Sequence, residues 1–131
     1  MPAQSPSFIA KGDIEPSVFV QPDPTNDHAI LQAEAGDECL GVSHEGTREA
    51  PVEGVTPLAA KANESCQVYT DGWPCEIIAG ATLVNGDKLK SDANGHAIKA
   101  VAGDAFYAVA RAGAAAGERV KATVTRGLIP A

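Results

Sequence analysis

Aromatic side chains make up only 5% of the residues: one Trp, two Tyr and three Phe. Sugar-binding sites lean on large rings, and this chain has few from which to build one. Basic residues are also scarce. Ten Lys and Arg stand against 17 Asp and Glu, for a net charge of −7 and a pI near 4.8. A surface that neutralises phosphates needs clustered Lys and Arg, so the balance argues against nucleic-acid binding. No apolar run approaches the length of a helical membrane span, and a membrane partner is not expected. The start, Met1 to Pro6, lacks the basic residues and apolar stretch of a signal peptide. Three cysteines (Cys39, Cys66 and Cys75) show no CxxC spacing, which predicts reduced thiols in a cytosolic environment.

What remains is small and rich in alanine. A chain of 131 residues and 13.4 kDa predicts one domain. Of its 44% apolar residues, 24 are alanine, while Val, Ile, Leu and Phe together number 27. That lies near the lower edge for a self-sufficient globular core. The thin core predicts that part of the stability comes from a partner or from self-association.

Charge is unevenly placed. Residues 1–70 carry 11 acids and 3 bases, and residues 71–131 carry 6 acids and 7 bases. Thirteen glycines and nine prolines cut the chain into short runs. Val120, Ala122 and Val124 alternate with Lys121, Thr123 and Thr125, the period of a half-buried strand. Ala105–Arg111, Leu40–Ser43, Val18–Val20 and Cys66–Val68 read as further strands. Ala114–Ala116 is bracketed by Gly113 and Gly117, so it reads as a loop despite its helix propensity. Thr25–Ala35 has the capping and composition of a short helix.

An internal repeat argues otherwise. His28-Ala29-Ile30 followed by Ala33-Glu34-Ala35-Gly36-Asp37 matches His96-Ala97-Ile98 followed by Ala100-Val101-Ala102-Gly103-Asp104. Upstream, Val20 to Asp23 stands opposite Leu89 to Asp92. The second copy carries Asn94-Gly95, a strong hairpin signal, so both copies read as strand–turn–strand. Two related units, about residues 18–69 and 82–125, predict an all-β fold, a small sandwich or barrel over residues 17–131. The first copy carries an insertion between Ser43 and Asn63. Residues 1–16 read as an extended N-terminal arm, in which Phe8 and Ile9 have no local strand to join.

Catalytic patterns are weak. His28 and His96 occupy matching turn positions, which favours a structural role. Adjacent strand residues point to opposite faces, so His44 and Glu45 make a poor acid–base pair unless a loop lets them converge. The cysteines lack zinc-ligand spacing and read as small core side chains. Asp37, Asp87 and Asp104 each follow a glycine but lack the neighbouring acids of a calcium loop, so they read as turn residues. Gly113–Gly117 lacks the Lys-Ser/Thr ending of a phosphate loop. No cofactor or metal is expected, and the chain reads as a non-enzyme. Trp73, beside Pro74, either packs inward or anchors an interface, where tryptophan is over-represented.

The ordered series of turns and small residues carries a resemblance. It runs from Val18–Val20 through HAILQAEAGDECLGVSHEGTR to Arg48. It continues through Gly80-Ala81-Thr82-Leu83-Val84-Asn85-Gly86-Asp87 to Asn94-Gly95, then Ala102-Gly103-Asp104, Val109-Ala110 and Ala116-Gly117-Glu118-Arg119-Val120. Over about Val18 to Val124 the chain resembles the decoration, or cement, proteins of tailed bacteriophage heads. The resemblance implies a structural virion protein on the outer capsid surface, assembled in the bacterial host cytoplasm. Its partners would be the major capsid protein and two further copies of itself in a homotrimer. Contact candidates are Phe8 and Ile9 on the arm, Arg48 as partner for a capsid carboxylate, and Trp73 and Phe19. The competing reading is a ligand- or carbohydrate-binding β module, and a third is a small hydrolase using His44 with Glu45 or a cysteine.

Overall fold

A computed structural model describes residues 7–45 and 58–130. Its regular elements there are all strands. Five build a closed barrel: β1 (Ser7–Ala10), β2 (Phe19–Pro22), β3 (Ala29–Gln32), β4 (Gly41–Ser43) and β5 (Ser65–Tyr69), in the order β1-β3-β2-β4-β5 with β1 returning to β5. Five more build a second sheet: β6 (Pro74–Ile78), β7 (Lys88–Ser91), β8 (Ala97–Lys99), β9 (Ala105–Ala110) and β10 (Arg119–Leu128), in the order β6-β10-β9-β7-β8. The fold is all-β, as the alternation and turn signals predict. Thr25–Ala35 forms a turn and then β3 (Ala29–Gln32) rather than a helix, because pairing of β3 with β1 and β2 overrides local propensity.

The two sheets are one topology used twice. Going round from β1, the barrel runs β1-β5-β4-β2-β3, and the second sheet repeats this as β6-β10-β9-β7-β8. Irregular contacts repeat as well. Ile14 bridges Ala60 in the first unit, and Leu83 bridges Ala114 in the second. The units differ at closure. In the barrel, β1 runs parallel to β3 through Ile9–Ala29 and Ala10–Ile30. In the second unit only Ala79 bridges Ala97, because the Ile78 amide donates to the Ser17 carbonyl of the barrel at 2.8 Å.

These ladders correct the register of the repeat. Val20 faces Gln32 as Leu89 faces Lys99, and Ala10 pairs with Ile30 as Ala79 bridges Ala97. Ile30 therefore corresponds to Ala97, and the extra residues of the first copy lie in its hairpin turn. His28 corresponds to Gly95, not His96, and both adopt positive φ, 52° and 79°. Slipping a strand by one residue would turn Ile30 out of the barrel, where it is fully buried.

The predicted arm is also corrected. From Ser7 onward it is β1, with Phe8 opposite Cys66 and Ile9 opposite Ser65, and Ile14 is buried in the core. The short SFIA segment gives no local sign of this, because its partners lie in β3 and β5. Residues 1–6 are outside the described residues.

Turn chemistry holds the strands at their ends. Glu34–Asp37, Lys61–Glu64, Val84–Asp87, Val101–Asp104 and Ala115–Glu118 share one geometry. The fourth residue's carboxylate accepts the first residue's amide at 2.7–2.9 Å, and its amide returns to the first carbonyl at 2.9–3.2 Å. The third residue, Gly or Asn63, has φ between 70° and 93°. That left-handed backbone with an acid after it is why the Gly-Asp pairs are turns.

Val18, Phe19 and Val20 are all fully buried because β2 is covered on both sides. Val18 and Val20 join Ile14, Ile30, Cys66 and Val68 inside the barrel. Phe19 points the other way, into a core lined by Ala79, Ala97, Ala108, Ala110 and Ala122 of the second unit, with Ile77, Leu89 and Val120. Its ring meets Tyr107 edge-on at 6.5 Å. Phe19→Ala is expected to lower unfolding free energy by about 3–5 kcal/mol, measured by urea titration.

Ser17 gives the opposite expectation. It occupies the position of Gly86, with φ of 59°, and its buried hydroxyl has no hydrogen-bond partner among the described residues. Ser17→Gly removes both costs against a smaller loss from the freer unfolded chain. It should raise the urea midpoint, with a net gain of about 1 kcal/mol.

Candidate functional site

The sequence-derived contact residues do not converge on one surface. Phe8 is half-buried against the barrel core, its ring 6.2 Å from His28. Ile9, its neighbour on the opposite face of β1, is 42% exposed. Phe19 is fully buried between the units, so the structure removes it from the contact surface. Arg48 lies outside the described residues. Trp73 is half-buried where β5 turns into β6, its ring 6.1 Å from Tyr69. It lies between the two alternatives, neither core nor free anchor.

Tyr69 is the centre of a site that the sequence did not reveal. Its ring lies between His44, at 5.9 Å, and Trp73. Its hydroxyl donates to Glu45 Oε1 at 3.1 Å. The other carboxylate oxygen of Glu45 is buried without a hydrogen-bond partner among the described residues. An open cleft of about 360 Å³ adjoins them, lined also by Pro74, Glu76, Arg111, Lys121 and Thr123. Arg111 Nε is held by Thr123 Oγ1 at 3.1 Å. The cleft thus offers both acids and bases beside a tyrosine ring, which suits a polar group with donors and acceptors better than a simple ion. Glu45, Tyr69 and Arg111 are far apart in sequence, and nothing in their local patterns connects them.

The remaining candidate chemistry is quiet. Burial pushes the thiols up, Cys39 and Cys75 to about 12 and Cys66 to about 11, so they stay protonated at neutral pH. Among the described residues no group of three His, Cys, Asp or Glu side chains is placed to hold a metal ion. Hydrogen bonds from Thr25 and Asn26 hold Asp23 below the usual carboxylate range, and the Lys90 ammonium with the Val101 amide does the same for Asp104. These acids organise turns. The Glu45 carboxylate is engaged by a phenol, and His44 packs on that same ring, so the pair is built around Tyr69.

Burial, with Glu45 beside it, pushes Tyr69 up from 10.0 to about 12, and burial raises Tyr107 as well. A phenol whose pKa is higher in the folded state contributes stability that is complete below pH 10. That contribution is lost as pH rises towards 12. Absorbance titration near 295 nm should show neither tyrosine ionising at its ordinary pH, and urea midpoints should fall above pH 10. At pH 8 a thiol reagent should label none of the three cysteines until urea unfolds the chain; labelling of the native protein would contradict their burial.

No protein-family model and no curated protein matches this chain. Solved structures do. One is the crystal structure of the N base of head fiber gp8.5 of bacteriophage phi29, with a TM-score of 0.58 and 18% identity. The match covers 95% of this chain and 96% of that one, so the two share their fold from end to end.

Proposed function

We propose that this chain is a structural virion protein of a tailed-phage head. In this reading it binds the outer surface of the expanded capsid, as a homotrimer, and clamps neighbouring major capsid protein subunits. The observation that carries the reading is the end-to-end fold match with a phage head fiber base. The ordered turn motifs from Val18 to Val124 support it independently, through their resemblance to head decoration proteins.

The physical logic needs no catalysis. Packaged DNA pushes capsid subunits apart, and a protein that binds only the assembled, expanded lattice raises the free energy of that separation. A chain with an alanine-rich core gains stability from the same contact by mass action. Ile9 on the outer face of β1, Trp73 beside the cleft, and Arg48 are the contact residues of this reading. Phe8 supports Ile9 from within the barrel.

Co-sedimentation with expanded heads stripped of accessory proteins, against unexpanded proheads, tests it. Saturable binding to expanded heads alone is the expected result, weakened by Ile9→Asp or Trp73→Ala. Binding to neither form would overturn the proposal. Attention would then move to a ligand-binding module, with the Tyr69–Glu45–Arg111 cleft as its site and a glycan screen as the next step.

A further inference from the structure

Two Asn-Gly pairs lie in the second unit, Asn85-Gly86 and Asn94-Gly95, and the fold holds them differently. This dipeptide carries a chemistry of its own. Glycine has no side chain to block the approach, so its amide nitrogen can attack the carboxamide carbon of the asparagine before it. A bond forms between Gly N and Asn Cγ, the Cγ–Nδ2 bond breaks, and ammonia leaves with the amide proton. Water then opens the cyclic imide at either carbonyl, giving aspartate or, with one extra carbon in the main chain, isoaspartate. The attack requires the Asn-Gly peptide plane to turn, so its rate depends on how firmly that plane is held.

Asn85-Gly86 forms the tip of the Val84–Asp87 turn. Both residues are exposed, and a Cβ at Gly86 would meet nothing within 4 Å. One bond restrains the pair, from the Gly86 amide to Ala110 O at 2.8 Å. Asn94-Gly95, in the β7–β8 turn, is held at four points. The Asn94 amide donates to Asp92 Oδ1 at 2.8 Å, and Gln32 Nε2 of the barrel donates to Asn94 O at 2.8 Å. The Gly95 amide donates to Asp92 O at 3.3 Å, and its carbonyl accepts the Phe19 amide at 2.8 Å. The bonds from Gln32 and Phe19 cross from one unit to the other. Gly95 is buried, and a Cβ there would lie 3.1 Å from Phe19 O and 3.3 Å from Ala33 O.

We propose that Asn94 is a deamidation site masked by the joint between the units. While the β7–β8 turn sits on the barrel edge the site is protected, and imide formation proceeds only when the turn lifts away. The isoaspartate product does not reseat as before. Its extra main-chain carbon falls between residues 94 and 95, whose carbonyls must reach Gln32 and Phe19 together. Its new carboxylate also adds charge beside Asp92, with Glu15 bound to Gln32 across the joint. Parting of the two units is therefore recorded permanently in the chain, while Asn85 serves as an unmasked reference in the same molecule. The inference does not depend on the head-binding reading, and either can fail alone.

Incubation of the full chain in mildly alkaline buffer, followed by tryptic mapping in a mass spectrometer, tests it. Lys88 and Lys90 place the two sites on separate peptides, so each amide-to-acid mass gain is read alone. In the folded chain Asn94 should convert at least roughly tenfold more slowly than Asn85. In urea above the unfolding midpoint the two rates should converge. Gln32→Ala removes one bond across the joint and should raise the Asn94 rate several-fold while leaving that of Asn85 unchanged. A cooperative urea transition confirms that this variant is folded. Conversion of Asn94 in the folded chain as fast as that of Asn85 would overturn the proposal. So would an Asn94 rate that neither urea nor Gln32→Ala raises.

Discussion

Phe19 is the side chain on which the two halves depend. The second unit lines its interior with alanines, which are too small to fill a five-stranded sheet, and the missing volume comes from a ring on the outside of the barrel. The same residue's amide meets Gly95, and its carbonyl accepts the Ala33 amide at 2.9 Å. One position therefore ties together a shared core, a barrel edge and the neighbouring hairpin. A composition that looks thin for a self-sufficient domain is adequate because the two copies do not each need a complete core.

The duplicated topology has diverged where the copies meet. At Ile78 the strand that would have sealed the second unit turns instead to Ser17 of the first. The barrel keeps its closure and the second sheet remains short of one. Ser17 itself records the cost of the join. It holds a left-handed backbone that Gly86 adopts freely in the other copy, and its carbonyl receives the Ile78 amide. A tight interface between unequal copies is built from these departures rather than from a separate set of contacts.

What was legible in the sequence was what local chemistry decides. Gly36-Asp37, Gly86-Asp87 and Gly103-Asp104 read as turns because the third position needs a left-handed residue and the fourth a short acceptor, and both needs are met within four residues. Alternation along Val120–Thr125 marked β10 for the same reason. Features decided by distant partners were missed. Phe8 and Ile9 passed for an arm because Cys66 and Ser65 lie far along the chain. The repeat itself was visible, but shared His-Ala-Ile letters set its register one residue out; the hairpin ladders and the bridge of Ala97 with Ala79 fix it. The Tyr69–Glu45–Arg111 cleft gathers residues from three strand ends with no motif in common.

Closure of the barrel also has a consequence for how the chain is made. Ile9 must find Ser65, and Ser17 must wait for Ile78, so the earliest segments bond to residues synthesised much later. Loops of that length delay the first rewarded contacts, and proteins dominated by such pairings fold slowly. Until β5 leaves the ribosome, β1 lacks one of its two barrel neighbours, and the barrel of β2 and β3 cannot close. A newly made chain is thus most open to misassociation before its second half arrives, and chaperone demand should fall on nascent chains rather than on the finished protein.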